Sequence, residues 1–525
     1  MLAIFRCGRY FCIIMVWMLR LMILVQVLSV TFLLCLTYLN KQNGSAPMCS
    51  KQENITGNST CQLCGTVNYR PVVHFHRQKD TPLKRSYSLT HARNVFKMLG
   101  YVNQESQESE DGTQWDVLWA HETPFGSGNL SNEVQHNQKV SQVHGMRKIT
   151  QKALLTTEGR LKYVPKSFRI PLQKLHFLEE LKQNKDINRL WMQKNIDHRG
   201  NQVKKFHELD LKKESIIQEY ISNPYLAQGR KMSLAIYVIV TSIDPLRVYI
   251  MDTKYIIRCS TKLYDPEDFS DPRTYITDGI FDQSNSDHFR LELDKGKDQI
   301  PLKYKYKGAP AANVVFAREG YDTYWIQSQL YDAVRDVFEQ KWSSIKRIIN
   351  PTKRDSFFCI TRWDFVPDED FNLHLLEANM SPNMPDAEHP FYVSFFTSTL
   401  YSLLRISGVD DIRKNNSTRP SYIIRDSDVM LNSIPSCYNS SNISCDNTEY
   451  LLCPQCMTQS QVEMLKSLVF EHLNRHDMKR VFHSQRMDDF SSNNTQRVNT
   501  NLGSSFDLYH DWLSHKCQLD VYWCY

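Results

Sequence analysis

An apolar stretch from 21 to 39, broken only by Gln26 and small polar residues, dominates the hydrophobic pattern of the chain. Nineteen residues of helix are long enough to cross a hydrocarbon core of about 30 Å, so this stretch is expected to span a membrane. Residues 40–67 are polar and read as a stem. From about 69 the pattern becomes that of a packed domain. Helical spacing predicts a helix over 91–99, an acidic linker follows at 104–112, and 115–119 alternates as a short buried strand. The segment 171–185 is expected to be a helix with Leu172, Leu175, Phe177, Leu178 and Leu181 on its apolar side, and 190–194 a short strand. Alternation at 233–241, a turn at Asp244-Pro245 and a return at 247–259 predict a hairpin. A long amphipathic helix is expected over 321–349. Strands at 357–366 and 373–379 predict a second hairpin with Asp368-Glu-Asp370 at its turn, followed by a helix at 390–404. Beyond about 413 periodicity is lost. The expected class is α+β with antiparallel sheets, divided into a cytoplasmic segment 1–20, an anchor 21–39, a stem 40–67, a domain 68–410 and a tail 411–525.

Charge and cysteine usage sharpen this picture. Lys and Arg total 63 against 57 for Asp and Glu, a net charge of +6, which is too mild to imply a nucleic-acid partner and suits an acidic protein substrate. Arg6, Arg9 and Arg20 precede the apolar run, whereas only Lys41 and Lys51 follow it closely. The positive-inside rule then predicts a type II signal anchor, with the body in the secretory lumen or outside the cell. Ten Asn-x-Ser/Thr triplets and eleven of the fourteen cysteines lie beyond the run. The six at 437, 445, 453, 456, 517 and 524 read as a disulfide staple whose connectivity the sequence leaves open. A zinc or redox role for Cys61-x-x-Cys64 and Cys453-x-x-Cys456 is the less favoured reading.

Chemistry concentrates in the second hairpin. Glu377 and Asn379 are two apart and face the same way on a strand, and Asp364 comes within reach once the chain turns near 368–370. Three oxygen-bearing side chains beside apolar flanks are suited to a hard cation such as Mg²⁺, with substrate phosphates completing its shell.

The segment Leu375-Leu-Glu-Ala-Asn-Met-Ser-Pro382 resembles the closing motif of tubulin tyrosine ligase-like enzymes. In family order come Gln218-Glu-Tyr-Ile221, Asn223-Pro224, Gly229-Arg-Lys231, Tyr237-Val-Ile-Val-Thr-Ser242 and Asp244-Pro-Leu-Arg-Val-Tyr249. The resemblance covers roughly 68–405 and implies an ATP-grasp domain that uses ATP and Mg²⁺ to join an amino acid to a protein carboxylate. It assigns Asp364, Glu377 and Asn379 to the metal. It assigns Lys194, Arg199, Gly200, Lys231 and the adenine frame Gln218, Glu219, Tyr220 and Ile221 to ATP. Lys194 and Arg258 are the implied catalytic cations, and a turn at Asp244-Pro245 is expected to bring 231 about opposite 258, so that two cations meet one phosphate.

Three departures fall on this machinery. The family's Lys-x-Asp-x-Arg is here Lys231-Met-Ser-Leu-Ala235, losing one acid and one base. The glycine-rich lid is reduced to 194–202, with Gln202 at its second glycine, and Tyr275-Ile-Thr-Asp278 stands where the family tends to have His-x-Thr-Asn. The resemblance implies glutamate ligation onto an acidic tail, of tubulin or of an unknown lumenal protein, while the departures fall on turnover more than on ATP binding. The alternatives are a pseudoenzyme that retains ATP and a tethered scaffold.

Overall fold

A computed structural model describes residues 70–524, apart from 77–88, 106–114, 126–132, 184–188, 196–199, 281–312, 350–355, 385–389, 410–423, 432–436, 438–442, 446–449, 483–503 and a few single positions. The chain divides into two units, 1–68 and 69–525. The expected anchor and stem lie outside the described residues. Among the described residues no helix is long and apolar enough to cross a membrane.

Three sheets organise the second unit. The first contains β1 (Val72–His76), β2 (Val102–Glu105), β3 (Val117–Ala120) and β4 (Lys139–Val140) in the order β2-β1-β3-β4. All its pairings are parallel, which corrects the expectation of antiparallel sheets throughout. The cause is the helix α1 (Thr90–Met98), which returns the chain to the starting end between β1 and β2. The second sheet is antiparallel, β5-β8-β6-β7, formed by β5 (Ser167–Ile170), β6 (Trp191–Asn195), β7 (Gln202–Lys204) and β8 (Ser215–Glu219). Two short helices precede it, α2 (Arg147–Thr150) and α3 (Lys152–Thr157), and α4 (Lys174–Gln183) covers it. On α4 only Phe177 is buried, whereas Leu172 and Leu175 just before and at its start are 78% and 75% exposed. Of the expected apolar side, Phe177 and the half-buried Leu181 meet the small core of Ile170, Trp191 and Ile217, and Leu172 and Leu175 lie beyond its edge.

The third sheet carries the site. It includes β9 (Leu226–Ala227), β10 (Arg230–Ile243), β11 (Leu246–Cys259), β12 (Gly279–Ile280), β13 (Cys359–Pro367) and β14 (Leu373–Met380), with the central order β12-β11-β10-β13-β14. Alternation sorts its two faces. Leu234, Ile236 and Val238 of β10, with Trp363 and Phe365 of β13, pack against α5 (Thr323–Lys346). Asp322 caps that helix by accepting the Tyr324 N–H at 2.9 Å. Ala235, Tyr237 and Ile239, with Phe358 and Ile360, pack on the opposite face against α1, α6 (Pro390–Ile406) and the first sheet. Each large apolar side chain so buried contributes about 1.5–3 kcal/mol.

The tail is more ordered than its lost periodicity implies. It holds α7 (Asp426–Val429), α8 (Gln459–Asn474), β15 (Lys479–Arg480) and α9 (Ser504–Leu519), and β15 pairs with β11 at Tyr249↔Arg480. Val462, Leu465, Leu468 and Val469 of α8 and Phe506, Tyr509, Trp512 and Leu513 of α9 join the core that packs on α5. Disulfides join Cys437 to Cys453, Cys445 to Cys456 and Cys517 to Cys524.

Candidate active site

The two hairpins meet along the β10·β13 pairing, and that register assembles the site. Ala235 lies opposite Asp364 on β13, and Asp364 lies opposite Glu377 on β14. A bulge at Asp364/Phe365 makes Leu376 the extra residue and turns Glu377 and Asn379 onto the face of Asp364. The three expected metal ligands are therefore together: the Asn379 amide donates to Asp364 at 3.2 Å and to Glu377 at 3.1 Å. With two carboxylates and one carboxamide the cluster is incomplete for a hard cation, and phosphate oxygens are the natural remaining ligands.

A cleft of about 860 Å³, partly open to solvent, lies between this face and the second sheet. Lys194, Gln218, Glu219, Tyr220, Ile221, Lys231 and Arg258 line it. Lys194 on β6 donates to Gln218 on β8 at 2.5 Å, and Gln218 in turn donates to Ser167 at 2.9 Å. Lys231 stands 3.9 Å from the centre of the Tyr220 ring. The Glu219 carboxylate is bonded to Arg189, which ties it to the second sheet. Gly200 adopts φ +80°, where a Cβ would come within 2.8 Å of the Asn195 amide, but its neighbour Asn201 is the one that lines the cleft. Arg199 and Asp278 lie outside the described residues.

The hairpin register differs from expectation. Arg258 pairs with Ser233, and the Lys231 carbonyl accepts from Ser260 instead. Bulges between Ala235 and Tyr237 and between Val240 and Ser242 shift the strands, which a count from the turn does not anticipate. Lys231 and Arg258 still share the cleft, and the cation that acts on Lys231 is Lys194.

Three further contacts complete the site. Lys152, at the start of α3, makes an ion pair of 2.6 Å with Glu377. Arg362 binds both oxygens of Asp364, at 2.8 and 2.9 Å. Thr277 accepts from the Ser233 hydroxyl at 2.9 Å. Arg362 was detectable as an Arg-x-Asp pair on one strand face, whereas Lys152 is more than two hundred residues from its partner and left no local signal.

These charges bias one another. Burial raises Glu377, but the Lys152 ammonium, the Asn379 amide and Lys194 outweigh it and hold the carboxyl at about 2. Burial and the adjacent Glu377 raise Asp364 despite Arg362 and Arg258. Burial and then Lys152 bring the Lys194 amine to about 8, against the pull of Glu377. Burial and then Lys194 bring Lys231 to about 7. Lys152, Lys194, Lys231 and Arg258 share the cleft with Glu219, Asp364 and Glu377, and Arg362 adds a second guanidinium at Asp364. Arg258 lies 3.9 Å from Asp364, and its buried Nε has no hydrogen-bond partner among the described residues. An orphaned cationic donor in a cation-rich cleft beside a cluster of oxygen donors fits a polyanion carrying a divalent ion, and ATP with Mg²⁺ is such a ligand.

A model of the tubulin-tyrosine ligase family matches residues 129–416. The chain is 29% identical over 461 residues to a probable tubulin polyglutamylase, ttll-15, of Caenorhabditis elegans, covering 83% of this chain and 84% of that protein. It is 26% identical to tubulin glycylase 3D of Tetrahymena thermophila over 34% of this chain, and 23% identical to the mouse (Mus musculus) tubulin monoglutamylase TTLL4 over 41%. It spans only 16% and 18% of the lengths of those two proteins.

Proposed function

The chain belongs to the tubulin-tyrosine ligase family, and from that premise we propose that it is an ATP- and Mg²⁺-dependent protein–amino-acid ligase. The proposed reaction adds glutamate to carboxylates of an acidic protein tail, such as that of tubulin. The observation that carries this reading is that Asp364 and Glu377, both bonded by Asn379, line one cleft with Lys194, Lys231 and Arg258. When bound, Mg-ATP supplies the phosphoryl group that makes a carboxylate open to attack by an amine.

The residues of the chain have separable tasks in this reading. Asp364, Glu377 and Asn379 would hold the metal. Lys194 and Lys231 offer ammonium groups to phosphate from opposite walls, and Tyr220 and Ile221 border the nucleotide's base. Arg258, with its orphaned Nε, offers a donor where negative charge develops on transfer. The cation-rich wall also attracts an acidic tail.

A pH dependence follows from Lys231. Burial and Lys194 bring its amine to about 7, and a polyphosphate favours its charged form. Binding of Mg-ATP at pH 7.5–8 is therefore expected to take up a proton, and affinity to fall as pH rises above about 7. Calorimetry in two buffers of different ionisation heat measures that uptake, and Lys231→Met should abolish most of it.

The second reading is a nucleotide-binding protein without ligase activity. Ser233 and Ala235 favour it, because one acid and one base expected on β10 are absent from the wall beside Asp364. Incubating the protein with labelled glutamate, Mg-ATP and a set of acidic tail peptides separates the two. Incorporation by the wild type that is lost in Glu377→Gln supports the ligase. Nucleotide binding without incorporation supports the second reading.

For location we propose a type II membrane protein anchored by 21–39, on the strength of the basic residues before that run. With a lumenal body the acceptor is an acidic protein other than cytosolic tubulin, and a tubulin acceptor requires the anchor to insert the other way. Sensitivity of its gel mobility to an N-glycosidase tests this orientation.

A further inference from the structure

We propose that Arg362 is a positioning residue of this site, supplying from β13 the guanidinium that position 235 on β10 lacks. The inference rests on the Mg-ATP reading above and identifies which residue maintains its metal-binding carboxylate.

The geometry is specific. Ala235 is directly opposite Asp364 in the β10·β13 ladder, so an arginine at 235 would lie beside the Asp364 carboxyl. Ala235 is 2% exposed and fills only a methyl's worth of that wall. Arg362, one pleat along the same strand as Asp364, turns its guanidinium back along the strand. Its Nε donates to one oxygen of Asp364 at 2.8 Å and its Nη2 to the other at 2.9 Å. The side chains are only 8% and 12% exposed, so neither group depends on water for its partner. Arg362 also sits opposite Asn379 on β14 and opposite Tyr237 on β10, which confines it among the ligands.

The physical consequence is orientation. A buried carboxylate beside a second one is poorly held unless a cation fixes it, and a planar fork fixes both oxygens in one plane. Arg258, at 3.9 Å from Asp364, is too distant for a comparable bond, and its own Nε has no partner among the described residues. With Arg362 on Asp364, Arg258 is left to face the ligand. The site thus has one arginine for its carboxylate and one for the incoming anion, although the expected strand position is alanine.

The test is a relocation of charge, read by calorimetric titration of ATP with and without Mg²⁺ on the full chain. Thermal melting controls for folding. Arg362→Ala should weaken Mg-supported ATP binding tenfold or more and leave metal-free ATP binding within about threefold. Arg362→Lys, which keeps charge without the fork, should fall between. The double variant Ala235→Arg/Arg362→Ala should regain most of the lost affinity. Equal Mg-ATP binding by wild type and a folded Arg362→Ala overturns the role and leaves the nucleotide reading standing. A folded double variant without recovery also overturns it. Should Arg362→Ala not fold, the double variant alone decides: folded and binding supports the role, folded and not binding overturns it. A wild type that binds no Mg-ATP removes both the nucleotide reading and the role.

Discussion

Glu377→Gln is expected to lower amino-acid ligation about a hundredfold or more and to remove the Mg²⁺ dependence of ATP binding. Glu377 is a fully ionised carboxylate on the bulged strand β14, held near 2 by Lys152, Asn379 and Lys194 in spite of burial. The substitution keeps shape and removes charge. It leaves one anionic ligand, Asp364, which Arg362 already engages at both oxygens. Loss of a preorganised electrostatic partner at the point of phosphoryl transfer costs on the order of 10² to 10³ in rate. Steady-state ligation and calorimetry with and without Mg²⁺ measure the two effects. A variant with ligation within threefold of wild type would show that Glu377 is not a metal ligand. Unfolding is not expected to confuse this result, because Lys152 is partly exposed and hydrates when its partner is neutral.

The largest stability effect is expected at Glu471, far from the cleft. It lies on α8 and is nearly inaccessible, with its two oxygens taken by the Arg247 guanidinium at 3.1 Å and the Tyr249 hydroxyl at 2.8 Å. Arg480, fully buried on β15, approaches the same Tyr249 oxygen at 3.5 Å. Arg247 thus pairs with the carboxylate directly, and Arg480 reaches it only through the Tyr249 hydroxyl. Glu471→Ala leaves uncompensated buried charge and should cost about 3–5 kcal/mol, a large share of a total that is usually 5–15 kcal/mol. Urea unfolding of the oxidised protein measures it, and a loss below about 1 kcal/mol would contradict the assignment. The pairing also explains why the tail is part of the domain: α8 and β15 brace the outer end of the β10–β11 hairpin, whose inner end holds Lys231 and Arg258.

Much of this arrangement was legible from alternation. Strands β10, β11, β13 and β14 and the helix α5 fall where period-2 and helical patterns place them, and the two-residue spacing of Glu377 and Asn379 puts both beside Asp364. What escaped depended on distances the chain does not encode locally. The irregularity that sets 252–255 of β11 against Ile236 of β10 pairs Arg258 with Ser233 instead of with Lys231. Lys152 reaches Glu377 across the domain, and Arg362 acquires its meaning only once Ala235 is seen opposite Asp364. In the tail, Val462, Leu465, Leu468 and Val469 do repeat with helical spacing, but polar and cysteine-bearing segments on either side masked it. On α4 the reverse occurred: Leu172 and Leu175 have the spacing of a buried face but no core to meet. Hydrophobic spacing says where a face lies, and only the neighbouring elements decide whether it is covered.

The central claim is that Asp364, Glu377 and Asn379 hold a divalent ion against a bound nucleotide. Crystals grown with Mn²⁺ and a non-hydrolysable ATP analogue test it directly by anomalous scattering. The account predicts one strong peak within coordination distance of the two carboxylates, with the nucleotide's phosphates between it and Lys194 and Lys231. An analogue bound elsewhere, or a cleft holding nucleotide with no metal peak beside Glu377, would contradict it.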